Sequence, residues 1–305
     1  MAFDRADGLL LLYKPKGMTS HDCVQRVRQL FRTRKVGHAG TLDPDATGVL
    51  VIAINGATKI LQFLEQDDKI YEAELAIGKS TSTEDASGEV LEVDYSYKRL
   101  TRQAIESVFQ NFLGRQTQIP PLISAVKVKG KRLYEYARAK EAVERPMRTI
   151  EVHALTLLDG REVFEGEEIT FWFRAHVSKG TYIRTLAKDI GQALGYPAHL
   201  KSLVRIQSGP FHLKDCLTFE DLEQGNVRLL TLKEALSSYK MITVDEAIKR
   251  RIIHGQKLWK TTEDDLVVFL DQQDHVLAVY GKDPNDERKW KPLRVLRPGE
   301  GEMVE

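Results

Sequence analysis

One acid in this chain is placed to do chemistry. In Gly37-His38-Ala39-Gly40-Thr41-Leu42-Asp43-Pro44-Asp45-Ala46-Thr47-Gly48 a carboxylate stands between Leu42 and Pro44, on a glycine-punctuated stretch that runs into the apolar segment 49–54. Proline disfavours helical backbone at the preceding residue, so Asp43 is expected in an extended or turn conformation. Gly37, Gly40 and Gly48 supply permissive backbone where another molecule can approach closely. A carboxylate held on such a loop suits covalent or acid/base chemistry. Asp-Pro and Asp-x-Thr-Gly are also ordinary turn chemistry, and a structural turn competes with the catalytic reading. Other uses of the loop fail on spacing. Asp43, Asp45, Thr47 and Gly48 begin like a calcium loop, but Ile54 stands where the bidentate Glu belongs. No P-loop lysine follows, and no G-x-G-x-x-G opens a helix. Asp43 and Asp45, alternate residues across a proline, are poorly placed to flank one glycosidic bond.

Charge patterning widens the set of candidates. The net charge is only +1, yet 24–35 holds Arg26, Arg28, Arg32, Arg34 and Lys35 with no acid. The stretch 127–140 holds Lys127, Lys129, Lys131, Arg132, Arg138 and Lys140 against Glu135 alone, with Tyr134 and Tyr136 interleaved. Solvated charged faces compete with RNA binding as the explanation; basic residues among tyrosines are what RNA binding needs. Compensating acids gather in 65–68, 84–94 and 162–168. Cys23 and Cys216 are too few for a disulfide framework and, without paired histidines at ligand spacing, make no zinc site; the eight histidines form no H-E-x-x-H pattern.

The elements that must position these residues follow from periodicity. A strand over 8–13 ends in the turn Lys14-Pro15-Lys16-Gly17; Thr19 or Ser20 then caps a helix with Val24, Val27, Leu30 and Phe31 on one face and its arginines on the other. A buried strand at 49–54 and a helical patch at 60–64 precede 71–77, whose strict alternation puts Tyr71, Ala73, Leu75 and Ile77 on one face. A helix over 101–112 leads to the long stretch 118–149, which carries Pro120-Pro121 and the second basic run and reads as an insertion reaching out from a sheet. Alternation returns at 169–177. Ser178-Lys179-Gly180-Thr181 then turns into a helix with Tyr182 and Arg184 in its first turn, where the dipole asks for an acid near the arginine. After 240, Thr243 and Glu246 form a capping box before a short helix, and strands at 266–270, 276–280 and 293–296 make a small, mostly β unit. With 305 residues, 42% hydrophobic and 29% charged, the chain can hold one large core plus that unit. The apolar runs are far too short to span a bilayer and the first seven residues lack a basic leader, so a cytoplasmic location is expected.

Four motifs in order, Lys14-Pro15-Lys16-Gly17-Met18-Thr19-Ser20, Gly37-His38-Ala39-Gly40-Thr41-Leu42-Asp43-Pro44, Val177-Ser178-Lys179-Gly180-Thr181-Tyr182-Ile183-Arg184 and Ser208-Gly209-Pro210-Phe211, resemble the TruB family of pseudouridine synthases. The resemblance implies an α+β fold with a mixed, mainly antiparallel central sheet flanked by helices. It implies a catalytic domain over 1–240 with a thumb-like basic insertion at about 118–149, and a PUA-like RNA-binding domain over 241–305. The activity it implies is isomerisation of a T-loop uridine (position 55 of tRNA) to pseudouridine, with no cofactor and no metal, in a monomer whose partner is tRNA. Asp43 becomes the nucleophile and Arg184 its partner. Tyr71 stacks on the flipped uracil, Tyr182 and Leu203 line the base pocket, His38 contacts the RNA loop, and Lys127, Lys129, Lys131 and Arg132 meet the RNA backbone. Attack at C1′, addition at C6 and action as a base at C2′ all remain open to such a carboxylate. Ile123 departs from the pattern, since the family usually places an aromatic there. A guide-RNA-dependent relative and a tRNA-folding protein with incidental activity are the alternatives.

Overall fold

The apolar run at the start of the chain does not alternate because its strand is covered on both faces. In the computed structural model, which describes residues 7–296, Gly8–Lys14 pairs antiparallel with Thr47–Ile54, Leu10 opposite Ile52 and Leu11 opposite Val51. Leu9, Leu11, Val49, Val51 and Ala53 enter one core. Leu10, Leu12, Leu50, Ile52 and Ile54 enter another. A strand with no wet side reads as a continuous apolar segment. The helix Ser20–Leu30 adds Val24 and Val27 to the second core, followed by Phe31. Thr19 is its cap: its hydroxyl accepts the Asp22 N–H at 3.0 Å, and the Asp22 carboxylate accepts the Thr19 N–H at 2.9 Å. The short strand Val36–Ala39 also pairs with Thr47–Ile54, His38 opposite Ile52, so the hairpin between them carries Asp43 at its tip.

The chain divides into two compact units, one of residues 7–44, 48–67 and 208–296, the other of 45–47 and 68–207. From Lys240 the first unit builds a five-stranded sheet in the order Lys240–Thr243, Leu266–Leu270, Val276–Asp283, Asp286–Val295, Leu258–Trp259. Phe269, Tyr280 and Trp290 fill one face, with ring centroids 5.1 and 5.9 Å from Phe269. Val268, Leu270, Val276 and Val279 on the other face share the core of Leu9 and Val51. The small β module thus has its own sheet but not a wholly separate core.

Its helix, Glu246–Ile253, is capped differently from expectation. Asp245 accepts the Ile248 N–H at 2.8 Å, while Thr243 stays in its strand opposite Leu270. The strand claims Thr243, and Asp245, directly before the helix, is the residue whose side chain reaches forward to the free N–H of its first turn. Asp245→Ala is therefore expected to cost about 1 kcal/mol in urea unfolding, with Thr243→Ala leaving the midpoint nearly unchanged.

The second unit is a sheet in the order Ala198–Ser208, Lys69–Ile77, Ile169–Val177, Arg148–Leu157, Gly114–Gln118. Its alternating strands behave as expected: Tyr71 lies opposite Ala175, Ala73 opposite Phe173 and Leu75 opposite Phe171, all buried. The helix Arg102–Asn111 adds Phe109, 5.7 Å from Phe173, and Ile183–Ala193 buries Ile183, Leu186, Ala187 and Ile190. Gln118 pairs with Arg148, so residues 119–147 leave and re-enter the sheet between neighbouring strands. This is the expected insertion. It holds a hairpin, Lys127–Val128 with Lys131–Arg132, turning on Lys129 and Gly130 at φ 49° and 87°, as a two-residue turn of this kind requires. The α+β class and mainly antiparallel sheet stand as expected. Among the described residues no helix is long and apolar enough to cross a membrane.

Candidate active site

Asp43 is half-buried in a loop whose other residues are anchored on both sides of it. On one side Leu42 is buried, and the Ser20 hydroxyl both accepts its N–H at 2.9 Å and donates to its carbonyl at 3.1 Å. On the other, the Pro44 carbonyl accepts the Gly17 N–H at 2.9 Å and the Lys14 ammonium at 2.9 Å. Lys14 is fully buried and also donates to the carbonyls of Pro15 at 2.9 Å and Met18 at 2.5 Å. Gly17 sits at φ 85°, a conformation glycine adopts without penalty, which brings its N–H round to the loop. The segment 14–20 thus brackets Asp43 through the backbone of its two neighbours, which fixes where the carboxylate emerges. His38, in the same unit, is half-buried on the strand leading into the loop.

Tyr71, Tyr182, Arg184 and Leu203 belong to the second unit. Arg184 is 3% exposed; its guanidinium donates to the carbonyls of Thr83 and Ile123, each at 2.9 Å, and lies 3.7 Å from the Asp85 carboxylate. Asp85 is an acid of the kind the helix dipole calls for. Its other oxygen accepts the Thr83 and Ser87 hydroxyls, both at 2.6 Å. Glu84 beside it is at φ 64° and buried, its carboxylate accepting the Thr185 hydroxyl and the Lys188 ammonium, both at 2.7 Å. The loop is further tied to the Leu203 strand by the Leu200 N–H on the Glu84 carbonyl and the Ala86 N–H on the Leu200 carbonyl, both at 3.0 Å. Burial pushes the neighbouring Asp189 carboxyl up, against the pull of Lys188. Tyr182 is fixed by its peptide: the Gln118 side chain accepts its N–H at 2.8 Å and donates to its carbonyl at 3.0 Å. Tyr71 is 8% exposed and Leu203 half-buried, on neighbouring strands.

A profile described as TruB family pseudouridylate synthase (N terminal domain) matches residues 28–183, and one described as tRNA pseudouridylate synthase B C-terminal domain matches 184–249. A tRNA pseudouridine synthase B of Bacillus anthracis is 50% identical over 299 residues, 95% of this chain and 97% of its own length. The chain belongs to the TruB family. A second tRNA pseudouridine synthase B, of Geobacillus thermodenitrificans, is 46% identical over 95% of this chain and all of its own. Among solved structures, a Cbf5-Nop10-Gar1 complex is 25% identical with a TM-score of 0.69, covering 95% of this chain and 84% of that one. An H/ACA RNP bound to a substrate RNA containing 2′-deoxyuridine, at 23% identity and TM-score 0.69, is similar in fold.

The basic stretches of this TruB chain are partly used internally. Arg26 ion-pairs with Glu223 and lies 4.4 Å over the Phe219 ring, and Arg28 donates to the Val36 carbonyl at 3.1 Å. The arginine side of this helix, which the pattern alone would leave exposed, is thus half-buried at Arg26 and Arg28; a partner 197 residues away leaves no trace in local spacing. In the insertion Lys127, Lys129, Lys131 and Arg132 are exposed, with Lys131 3.2 Å from Glu141. The guanidinium groups of Arg132 and Arg138 lie over the Tyr134 ring, 5.9 and 5.4 Å from its centre. Tyr136 is buried and its hydroxyl donates to the Val128 carbonyl at 2.9 Å, so it holds the hairpin rather than offering a stacking surface. Sequence reasoning missed Lys14 and Ser20 as anchors, Gln118, and Glu84 and Asp85, which it counted only among the acids that compensate the basic stretches. A lysine closing an otherwise apolar strand was the one available signal.

Proposed function

We propose that this protein isomerises uridine to pseudouridine in the T-loop of tRNA, with Asp43 as the catalytic carboxylate and Arg184 the cation that keeps it ionised. The observation that supports this most directly is the two-sided anchoring of the Asp43 loop, which orients a reactive carboxylate in advance of substrate. The reaction breaks the N1–C1′ bond and joins C1′ to C5, whose proton leaves as N1 gains one, so it is complete in atoms and electrons without a co-reactant. The uridine must first leave its stack, at a cost of a few kcal/mol, which stacking on Tyr71 and phosphate contacts offset. Tyr182 and Leu203 line the base pocket and His38 meets the RNA loop in this reading. Residues 1–240 carry catalysis and 241–305 assist RNA binding as a PUA-like domain, in a cytoplasmic monomer. The test is incubation of purified protein with unmodified tRNA transcript and no cofactor, followed by site-resolved detection of pseudouridine. Conversion at one T-loop uridine is expected; its absence overturns the proposal.

The exposed insertion cations make a second expectation. Lys127→Ala/Lys129→Ala/Arg132→Ala should weaken T-arm binding and lower the slope of log affinity against log salt by about 2, since each lost phosphate contact removes roughly 0.7–0.9. Fluorescence anisotropy across a salt series measures it. An unchanged slope excludes this hairpin from the RNA interface.

A further inference from the structure

On the second unit, outside the four motifs though next to one of them, three metal-ligating side chains converge. His153 is the extra residue where the pairing of Arg148–Leu157 with Ile169–Val177 slips: Val152 lies opposite Val177, yet Ala154 lies opposite His176. A bulge re-aims the side chain it carries. Here it turns His153 onto the same face as His176, with ring centroids 4.7 Å apart. Asp68, just before Lys69–Ile77, completes the group: its Oδ2 is 3.1 Å from Nε2 of His153 and 3.6 Å from Nε2 of His176. All three donor atoms fall within 4.8 Å of one another.

We propose that Asp68, His153 and His176 bind a divalent cation of the zinc class. A tetrahedral ion with bonds of roughly 2.0–2.1 Å sets its ligand atoms about 3.4 Å apart, and the two histidine–carboxylate distances bracket that value. Two imidazoles and one carboxylate suit zinc, cobalt or nickel, whereas calcium and magnesium require more oxygen ligands. A fourth position stays open to water. Beyond the ligands, Glu151 Oε1 lies 3.9 Å from Nδ1 of His153, on the side where a carboxylate orients a metal-bound imidazole. Glu151 is itself held by its N–H on the Ser178 hydroxyl at 2.8 Å, and Arg115 stands 3.5 Å from its carboxylate. A bound ion would clip the segment at Asp68 to two strands of the sheet. Residues 68, 153 and 176 are too far apart in the chain for any spacing rule to join them.

The test titrates untagged protein with Zn²⁺ against a chromophoric chelator, and with Co²⁺ read by its visible absorption. One equivalent is expected to bind, and His153→Ala, His176→Ala and Asp68→Asn should each weaken binding at least about tenfold, while His254→Ala leaves it unchanged. Asp68 and His153 are exposed, so Asp68→Asn separates loss of a ligand from loss of fold. Zinc should also raise the melting temperature of the unaltered protein but not of Asp68→Asn. Absence of saturable binding at micromolar zinc, or binding undiminished in His153→Ala/His176→Ala, overturns the proposal and leaves an Asp–His ion-pair cluster.

Discussion

Asp43→Asn is expected to lower the single-turnover rate of pseudouridine formation in a T-arm transcript by about 10⁴-fold or more, without loss of fold. The amide keeps the shape of the carboxylate but is neither a competent nucleophile nor a base. The loop should hold its course because its anchors act on the backbone of Leu42 and Pro44: the Ser20 hydroxyl on one, the Gly17 N–H and Lys14 ammonium on the other. Circular dichroism and thermal unfolding close to those of the unaltered protein are expected beside the lost activity. Full conversion by Asp43→Asn would remove Asp43 from the mechanism. The same variant tests the competing role: if RNA folding rather than isomerisation is the main task, tRNA refolding assisted by Asp43→Asn protein should match that by the unaltered protein.

How much of this was legible beforehand depended on whether the signal was local. The strands at 69–77 and 169–177 could be read because one face is dry and the other wet, which writes a period of two into the sequence. The helix at 20–30 could be read from its cap and stripe. The strand Ala198–Ser208 could not: its central residues are half-buried, so no clean alternation survives. Asp286–Val295 was concealed by its charges, because it exposes much of its length to solvent. In the site, Asp43 announced itself by its loop, but its anchors did not, since Ser20 meets Leu42 across 22 residues and Lys14 meets Pro44 across 30. Glu84 is the sharpest case. In composition it belongs to an acidic stretch, yet it is buried with its carboxylate on Thr185 and Lys188, more than a hundred residues on.

Lys14→Met should reduce both stability and rate, and the pairing of those losses is what distinguishes an anchor from a core residue. Methionine fills similar volume, so packing loss is small. The ammonium it removes donates to three carbonyls at a site with no exposure, those of Pro15, Met18 and Pro44. Pro44 keeps the Gly17 N–H, while the half-buried Pro15 and Met18 lose this donor from their carbonyls. At roughly 1–3 kcal/mol for a fully buried group left unsatisfied, less for these half-buried carbonyls, and offset by relief of burying a charge, the net cost should be about 1–2 kcal/mol in urea unfolding. The loop then loses one of its two fixings beyond Asp43, and a displacement near 1 Å at a reacting group costs on the order of 10²-fold in rate. Ser20→Ala makes the matching test on the other flank. It should lower the rate with a comparable stability loss of about 1–2 kcal/mol, because the Leu42 N–H and carbonyl each lose one partner. A stability loss in both variants with unchanged single-turnover rates, measured well below their melting temperatures, would show that the segment 14–20 holds the fold but does not aim the carboxylate. Rates that fall in both, with Tyr182-side contacts untouched, would place the aiming of Asp43 in the backbone of its two neighbours.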